Sequence, residues 1–341
     1  MSALVLPNRR VEDWKYSDIA NAIDAASVAA APDAVWSKAS ISGDVEVGDL
    51  PQISPRGPHG AMAETALARA RNGLYLRVAK GRAGEARLDL ASGGHGRAVI
   101  VIEDGGSLTL RETVAAEGFA NVAVDIVVGR GGRLTHARHA PANGAIRVSD
   151  YAVRLADGAG YRAHFSDFGG RLSRAEFHVV LEGEGAEADL WGVGALDGTH
   201  ADLTTHVVHA VGGARSTQLV KYVAGGRGRG VYQGKVTVAA GAAGSDSRQT
   251  AKGLLLGDRA EIDLKPELEI LADDVKCAHG AAVGDLDAES LFYLRSRGVG
   301  EAEARALLMR AFLSDAVDGI ADEATRAQVW SAVDAALERL S

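Results

Sequence analysis

Glycines recur along the middle of this 341-residue chain at an interval that few folds produce. Gly105, Gly131, Gly158, Gly185, Gly212 and Gly241 each follow a β-type run, at spacings of 26, 27, 27, 27 and 29. A second series, Gly118, Gly144, Gly170, Gly198, Gly228 and Gly257, falls about midway, at spacings of 26, 26, 28, 30 and 29. Between the turns stand short runs rich in β-branched residues, at 99–102, 126–128, 178–181, 206–208 and 236–238, which suit a pleated, packed surface. Two interleaved series mean two strands and two turns per repeat, with glycine at the corners where positive φ or close backbone approach is needed. A period in the twenties, sustained over several units, marks a solenoid whose units bury their apolar faces on one another. The expected class is mainly β: a right-handed parallel β-helix with two main sheets. An antiparallel sandwich of regular hairpins would show similar strand spacing. The 5% aromatic content favours the solenoid, whose narrow interior suits stacked Val, Leu, Ile and Ala.

The flanks read differently. Val11, Trp14, Ile19 and Ile23 recur at roughly helical spacing. The stretch 51–58 holds three of the seven prolines and reads as a linker. Near the carboxyl end, Asp287 can cap a helix running to Arg297, which Gly298 ends. A second helix from Glu301 to Val317 would place Ala304, Leu307, Leu308, Ala311 and Phe312 on one face. Gly319 breaks the chain before a last helix that ends near Leu340. The expected organisation is an N-terminal helical region with linker (1–79), a β-helix core (80–284) and a C-terminal helical region (285–341). The helices are expected to cap the open ends of the β body, and truncation after Gly284 to leave that body folded.

Composition excludes several functions. A net charge of −8 argues against a nucleic-acid surface. No apolar run approaches the roughly 18 residues of a membrane span, and the first ten residues do not read as a signal peptide. A cytoplasmic protein is expected. One cysteine, Cys277, rules out an internal disulfide framework or a thiolate cluster built by this chain alone. The glycine-rich stretch 225–230 lacks the Lys-Ser/Thr of a phosphate-binding loop, so no ATPase is read here. His136 and His139, and His206 and His209, have ligand-like spacing, yet strand alternation sends each pair to opposite faces; solvent-facing strand histidines are the expectation. Asp157, Glu182, Glu184 and Asp189 read as solvated turn carboxylates, and no catalytic set emerges.

One segment stands apart: 265–270, then Asp273-Asp274-Val275-Lys276-Cys277-Ala278-His279-Gly280. Cys277 and His279 are two apart, so an extended strand turns both the same way. A thiolate beside an imidazole can bind iron or transfer sulfur, but two ligands leave a metal half-coordinated. A buried thiol beside a hydrogen-bonded histidine is the plain alternative.

This segment, with Leu291-Phe292-Tyr293-Leu294-Arg295-Ser296-Arg297-Gly298, resembles the SufB/SufD family of iron–sulfur assembly proteins. The run 254–256, the region 216–221 and Arg10-Val11-Glu12-Asp13-Trp14-Lys15-Tyr16 resemble the same family. Gly280 after the histidine and the shortness of the chain place it nearer the SufD branch. Ala251 stands about where SufB carries its cluster-related cysteine. The resemblance implies a non-catalytic scaffold subunit that pairs with SufB and binds the ATPase SufC. It implies that His279 and Cys277 lie at a SufB interface where a cluster is assembled transiently, with His279 a metal ligand only within the complex. It implies that SufC docks around Leu291, Phe292, Tyr293 and Arg297, and that the isolated chain holds no cofactor. A homodimer of the isolated chain stays open. Two alternatives are a carbohydrate-active β-helix enzyme and a self-contained SufB-like cluster scaffold.

Overall fold

Residues one coil apart pair in register, so similar apolar side chains pile into columns. Ile100, Ile126, Val153, Val179, Val207, Val236 and Leu268 form one such column. Its members from Ile100 to Val236 are almost completely buried. The computed structural model describes residues 4–50, 56–320 and 322–340. In chain order the strands are β1 (Trp36–Gly43), β2 (Val45–Asp49), β3 (Leu74–Val78), β4 (Ala83–Leu90), β5 (Gly94–Ile102) and β6 (Ser107–Val114). They continue with β7 (Phe119–Val128), β8 (Arg133–Ala140), β9 (Ile146–Leu155), β10 (Gly160–Asp167), β11 (Leu172–Leu181) and β12 (Glu187–Asp197). The last are β13 (His200–His209), β14 (Arg215–Gly225), β15 (Arg229–Val238), β16 (Asp246–Leu255), β17 (Glu261–Ile270) and β18 (Lys276–Gly284).

From β3 onward alternate strands belong to alternate sheets, giving two nine-stranded sheets ordered β2-β3-β5-β7-β9-β11-β13-β15-β17 and β1-β4-β6-β8-β10-β12-β14-β16-β18. Neighbouring strands pair in parallel along both sheets, except that β1 on β4 and β2 on β3 run antiparallel and close the amino-terminal end. The parallel β-solenoid is therefore observed, and the antiparallel sandwich is not. Gly105, Gly131, Gly158 and Gly185 take the left-handed corner conformation, with φ from 59° to 68°. In the next two corners the role falls to Gly213 and Gly244 instead of Gly212 and Gly241, and in all six corners the left-handed glycine stands two residues before the following strand. In the second series only Gly118 and Gly198 are left-handed; Gly169 and Gly226 replace their neighbours.

Two expectations for the flanks need correction. The first 79 residues hold three strands as well as helices. Their helical spacing is broken into a 3₁₀ turn (Glu12–Trp14), α1 (Ile19–Ala22) and α2 (Ala25–Ala30), followed by α3 (Ala61–Arg69). Asp18 and Asp24 cause the breaks: each side chain caps a new helix by accepting from the backbone N–H of Asn21 or Ser27. Trp14, Ile19 and Val28 are buried with Met62, Ile146, Val148 and Leu172, so this segment lies across the outer face of the first sheet. Of the proline-rich linker, residues 51–55 lie outside the described residues.

The carboxyl-terminal helices, α4 (Ala288–Ser296), α5 (Glu301–Asp318) and α6 (Glu323–Leu340), do not cap the end of the solenoid. α5 and α6 pack on the outer face of the second sheet, where Phe168, Val193, Ala195, Val223 and Leu254 meet Met309, Leu313, Val317, Val333 and Leu337. The buried face of α5 is Ala304, Met309, Leu313, Ala316 and Val317, while Leu307 is 46% exposed and Ala311 is exposed. Apolar residues run most of the way round α5, so the sheet chooses the face. Truncation after Gly284 would uncover Phe168, Val193 and Val223, and these helices belong to the folded body.

Arg111 on β6 anchors the start of α6. Its Nε and Nη2 donate to the two oxygens of Asp322 at 3.0 and 2.6 Å, and Asp322 Oδ2 accepts from the Thr325 backbone N–H at 2.8 Å. The Arg111 hydrogen bonds hold the Asp322 carboxyl well below the usual carboxylate range. A depressed folded value contributes stability above the unfolded pKa of about 3.9 and loses it as pH falls. Asp322→Ala is expected to cost about 1–3 kcal/mol near pH 7. In urea unfolding followed by circular dichroism, the gap from the parent should narrow below about pH 4; a gap that stays constant to about pH 3 counts against the anchor.

Candidate functional site

Among the described residues no strand covers the carboxyl-terminal end of the solenoid. β17 and β18 are the last strands of their sheets, and each pairs on one side only. Cys277 stands in register with Ser247, and His279 with Gln249. Strand alternation puts Cys277 and His279 on one face of β18. Cys277 is half-buried against the core, and burial pushes its thiol pKa up, so the protonated thiol is favoured. His279 is exposed and has no hydrogen-bond or ion-pair partner among the described residues. Behind it the interior turns polar: Gln249 Nε2 donates to Tyr232 Oη at 2.8 Å, and Tyr232 donates to Gln218 Oε1 at 3.0 Å.

The neighbouring α4 is the other expected site. Asp287 caps it and Gly298 follows it at φ 88°, as the sequence predicts. No residue of α4 is buried. Leu291 is half-buried, Phe292 is 74% exposed and Tyr293 57%, and the Arg297 guanidinium sits 5.2 Å from the centre of the Tyr293 ring. So short a helix is not stable alone, and packing must supply the rest. Of nine exposed large hydrophobic residues among the described residues, six lie in this part of the chain: Ile270, Leu271, Val283, Phe292, Tyr293 and Leu307. Cys277 and His279 thus share one strand, while the α4 residues form a separate apolar surface beyond the 285–287 connection.

The strand histidines correct a third expectation. His136 and His209 are fully buried: His136 Nε2 lies 3.0 Å from Glu112 Oε2, and His209 Nε2 lies 2.8 Å from Ser216 Oγ. His139 and His206 are half-buried. The members of each pair do face opposite ways; what the spacing could not show is that the interior is partly polar and that the outer faces are covered. The turn carboxylates Asp157, Glu182 and Glu184 are not buried, as expected, and Asp189 is half-buried beside Arg162.

Covering the first sheet's outer face creates a cluster that sequence reading missed. In-register pairing sets Asp150 on β9 directly beside Glu176 on β11, and Asp125 and His178 on either side of Ala152. His59, just before α3, reaches in: Nδ1 lies 2.5 Å from Asp150 Oδ1 and Nε2 3.0 Å from Asp125 Oδ1. The Gly60 backbone N–H donates to Asp150 Oδ2 at 2.8 Å, an approach open to glycine because a side chain there would collide with Glu176. Arg174, fully buried under the Trp14 ring at 4.3 Å, donates to Glu176 Oε1 at 2.8 Å and to Asp202 Oδ2 at 2.6 Å. His178 Nε2 lies 3.5 Å from Asp150 Oδ2 and 3.6 Å from Glu176 Oε2. Burial opposes charge on both histidines, but the carboxylates outweigh it. His59 is raised to about 9 through Asp125 and Asp150, and His178 to about 10 through Asp150 and Glu176. A cavity of about 280 Å³, walled in part by Trp14, His206 and Lys265, opens onto this cluster.

Comparison with known proteins agrees with the architecture. Residues 85–312 match the family model for the SUF system FeS cluster assembly SufBD core domain. The chain is 33% identical over 270 residues to the iron–sulfur cluster assembly protein SufD of Escherichia coli, covering 76% of this chain and 62% of that protein. It is 32% identical over 253 residues to a SufBD family protein of Mycobacterium tuberculosis, covering 71% and 61%. A SufBD family protein of Synechocystis is 29% identical over 242 residues, covering 66% and 52%. The chain thus spans between about half and three fifths of the length of these relatives. The family-model match runs from β4 through β18 and α4 into α5, about two thirds of the chain, and places it in the SufB/SufD family of the SUF iron–sulfur cluster assembly system.

Proposed function

We propose that this chain is a non-catalytic scaffold subunit of the SUF iron–sulfur assembly apparatus, acting through its open solenoid end and through α4. The observation that carries the reading is the unpaired edge of β17 and β18, which bears Cys277 and His279 and is ringed by exposed apolar side chains. Free strand edges invite pairing with another chain. A SufB-type solenoid laid against this edge would continue both sheets and cover Ile270, Leu271 and Val283. The likeness to the Escherichia coli protein named SufD supports the family role.

In this reading the cluster is cargo, assembled transiently across the shared edge. His279 offers a free imidazole, which suits iron. Cys277 is a poor principal thiolate, because its burial favours the protonated form; that thiolate is assigned to the partner. The ATPase SufC docks on the Phe292–Tyr293 face. No helix of the described residues is long and apolar enough to cross a membrane. The cytoplasm is the proposed compartment, since a lone cysteine and an oxidisable cargo fit reducing surroundings. A carbohydrate-cleaving pair has no support, because Asp150 and Glu176 are buried and each is held by neighbours, Asp150 by His59 and the Gly60 N–H and Glu176 by Arg174.

Two expectations follow from this hypothesis. Replacing both Phe292 and Tyr293 with Ala should weaken capture of SufC by about tenfold or more, as expected for exposed aromatic anchors, with no change in thermal unfolding. Binding at parental strength would move the docking surface elsewhere. For the open end, cluster yield per intact complex is the measurement. His279→Ala should lower it several-fold, while Cys277→Ser, which keeps nearly the same volume, should do less harm. Equal yields from His279→Ala and the parent would make this histidine a purely structural residue.

A further inference from the structure

We propose that Asp150, Glu176 and His178 form a binding site for a divalent first-row transition cation on the outer face of the first sheet, apart from the open end. One ligand atom from each lies within 4.8 Å of the other two. The separations of His178 Nε2 from Asp150 Oδ2 and Glu176 Oε2, 3.5 and 3.6 Å, are long for hydrogen bonds. They suit ligands of one ion: at metal–ligand distances of about 2.0–2.2 Å, tetrahedral neighbours stand about 3.3–3.6 Å apart. His178 Nε2 is buried and meets Asp150 and Glu176 only at these ion-pair distances, where a shared metal ion would give all three a direct partner.

The surroundings hold the carboxylates as metal sites require. His59 and the Gly60 N–H fix Asp150, and Arg174 fixes Glu176 by its far oxygen, which leaves Oε2 turned toward His178. Asp150 and Glu176 are like charges side by side; His59 is shared between Asp150 and Asp125, Arg97 stands 3.8 Å from Asp125, and Arg174 is shared between Glu176 and Asp202. Imidazole with two carboxylates suits Zn²⁺, Fe²⁺, Co²⁺ or Mn²⁺ and not Cu⁺. Three protein ligands leave coordination positions free toward the cavity, so the ion is exchangeable.

The test uses the full chain, stripped with a chelator and titrated with Co²⁺, followed by visible absorption and calorimetry. The expected result is one saturable equivalent without a thiolate-to-cobalt band. His178→Gln and Glu176→Gln should each weaken binding by about 100-fold or more. His279→Ala should leave it unchanged, which separates this site from the open end. Circular dichroism and thermal unfolding confirm that the variants fold, and His178→Gln keeps the side chain's bulk. Absence of saturable binding, survival of binding in either glutamine variant, or its loss in His279→Ala would each overturn the proposal.

Discussion

Each coil buries its apolar face only on the coil before it and the coil after it, and the rest of the molecule follows from that nearest-neighbour contact. In-register pairing turns one inward Val or Ile per coil into a continuous column, and two sheets of such columns make the core. A stack built in this way has two ends that its own interior cannot satisfy. At the amino-terminal end the antiparallel strands β1 and β2 close the sheets. At the other end no strand among the described residues lies over β17 and β18, and their side chains are mostly exposed or half-buried.

The helices instead line the flanks. α5 and α6 shield the outer face of the second sheet, while α3 and the amino-terminal segment shield that of the first. This covering lets strands such as β9 and β11 bury both faces, and it forces the outward polar residues to find partners inside the protein. Arg174 is completely buried for this reason and donates to Glu176 and Asp202, whereas Arg138 and Arg147 are completely buried on the inward side, where they meet Asp167 and the Gly169 carbonyl. Removing one member of such a pair would strand a buried charge and destabilise the fold strongly.

The coil period was legible from the glycines because a corner needs a residue free to adopt positive φ, and Gly105, Gly131, Gly158 and Gly185 do so. The terminal helices were legible from Asp287, Gly298 and Gly319, which start and stop them. Their docking place was not, since α5 is apolar on more than one side and only the sheet decides which side is covered. Cys277 and His279 could be placed on one strand face by their spacing of two. The Asp150, Glu176 and His178 cluster escaped because its carboxylates, on β9 and β11, become neighbours only through strict strand register. Corner lengths vary by a residue or more from coil to coil, and that drift hides such alignments in a single sequence. His59 lay further still from recognition, since it enters from outside the repeat.

Because coupling runs only between adjacent coils, the body has a direction in its cooperativity. A coil in the middle is held from both sides; the coil of β17 and β18 is held from one, and much of its surface faces water. Local opening should therefore begin there and penetrate inward coil by coil, so that amide exchange grades along the axis while the β7–β11 region stays closed. Whatever pairs with the β18 edge then does more than bind: it becomes the missing neighbour of the last coil. For any chain that paired there, association would also stabilise the last coil, so its affinity and the stability of that coil would be linked.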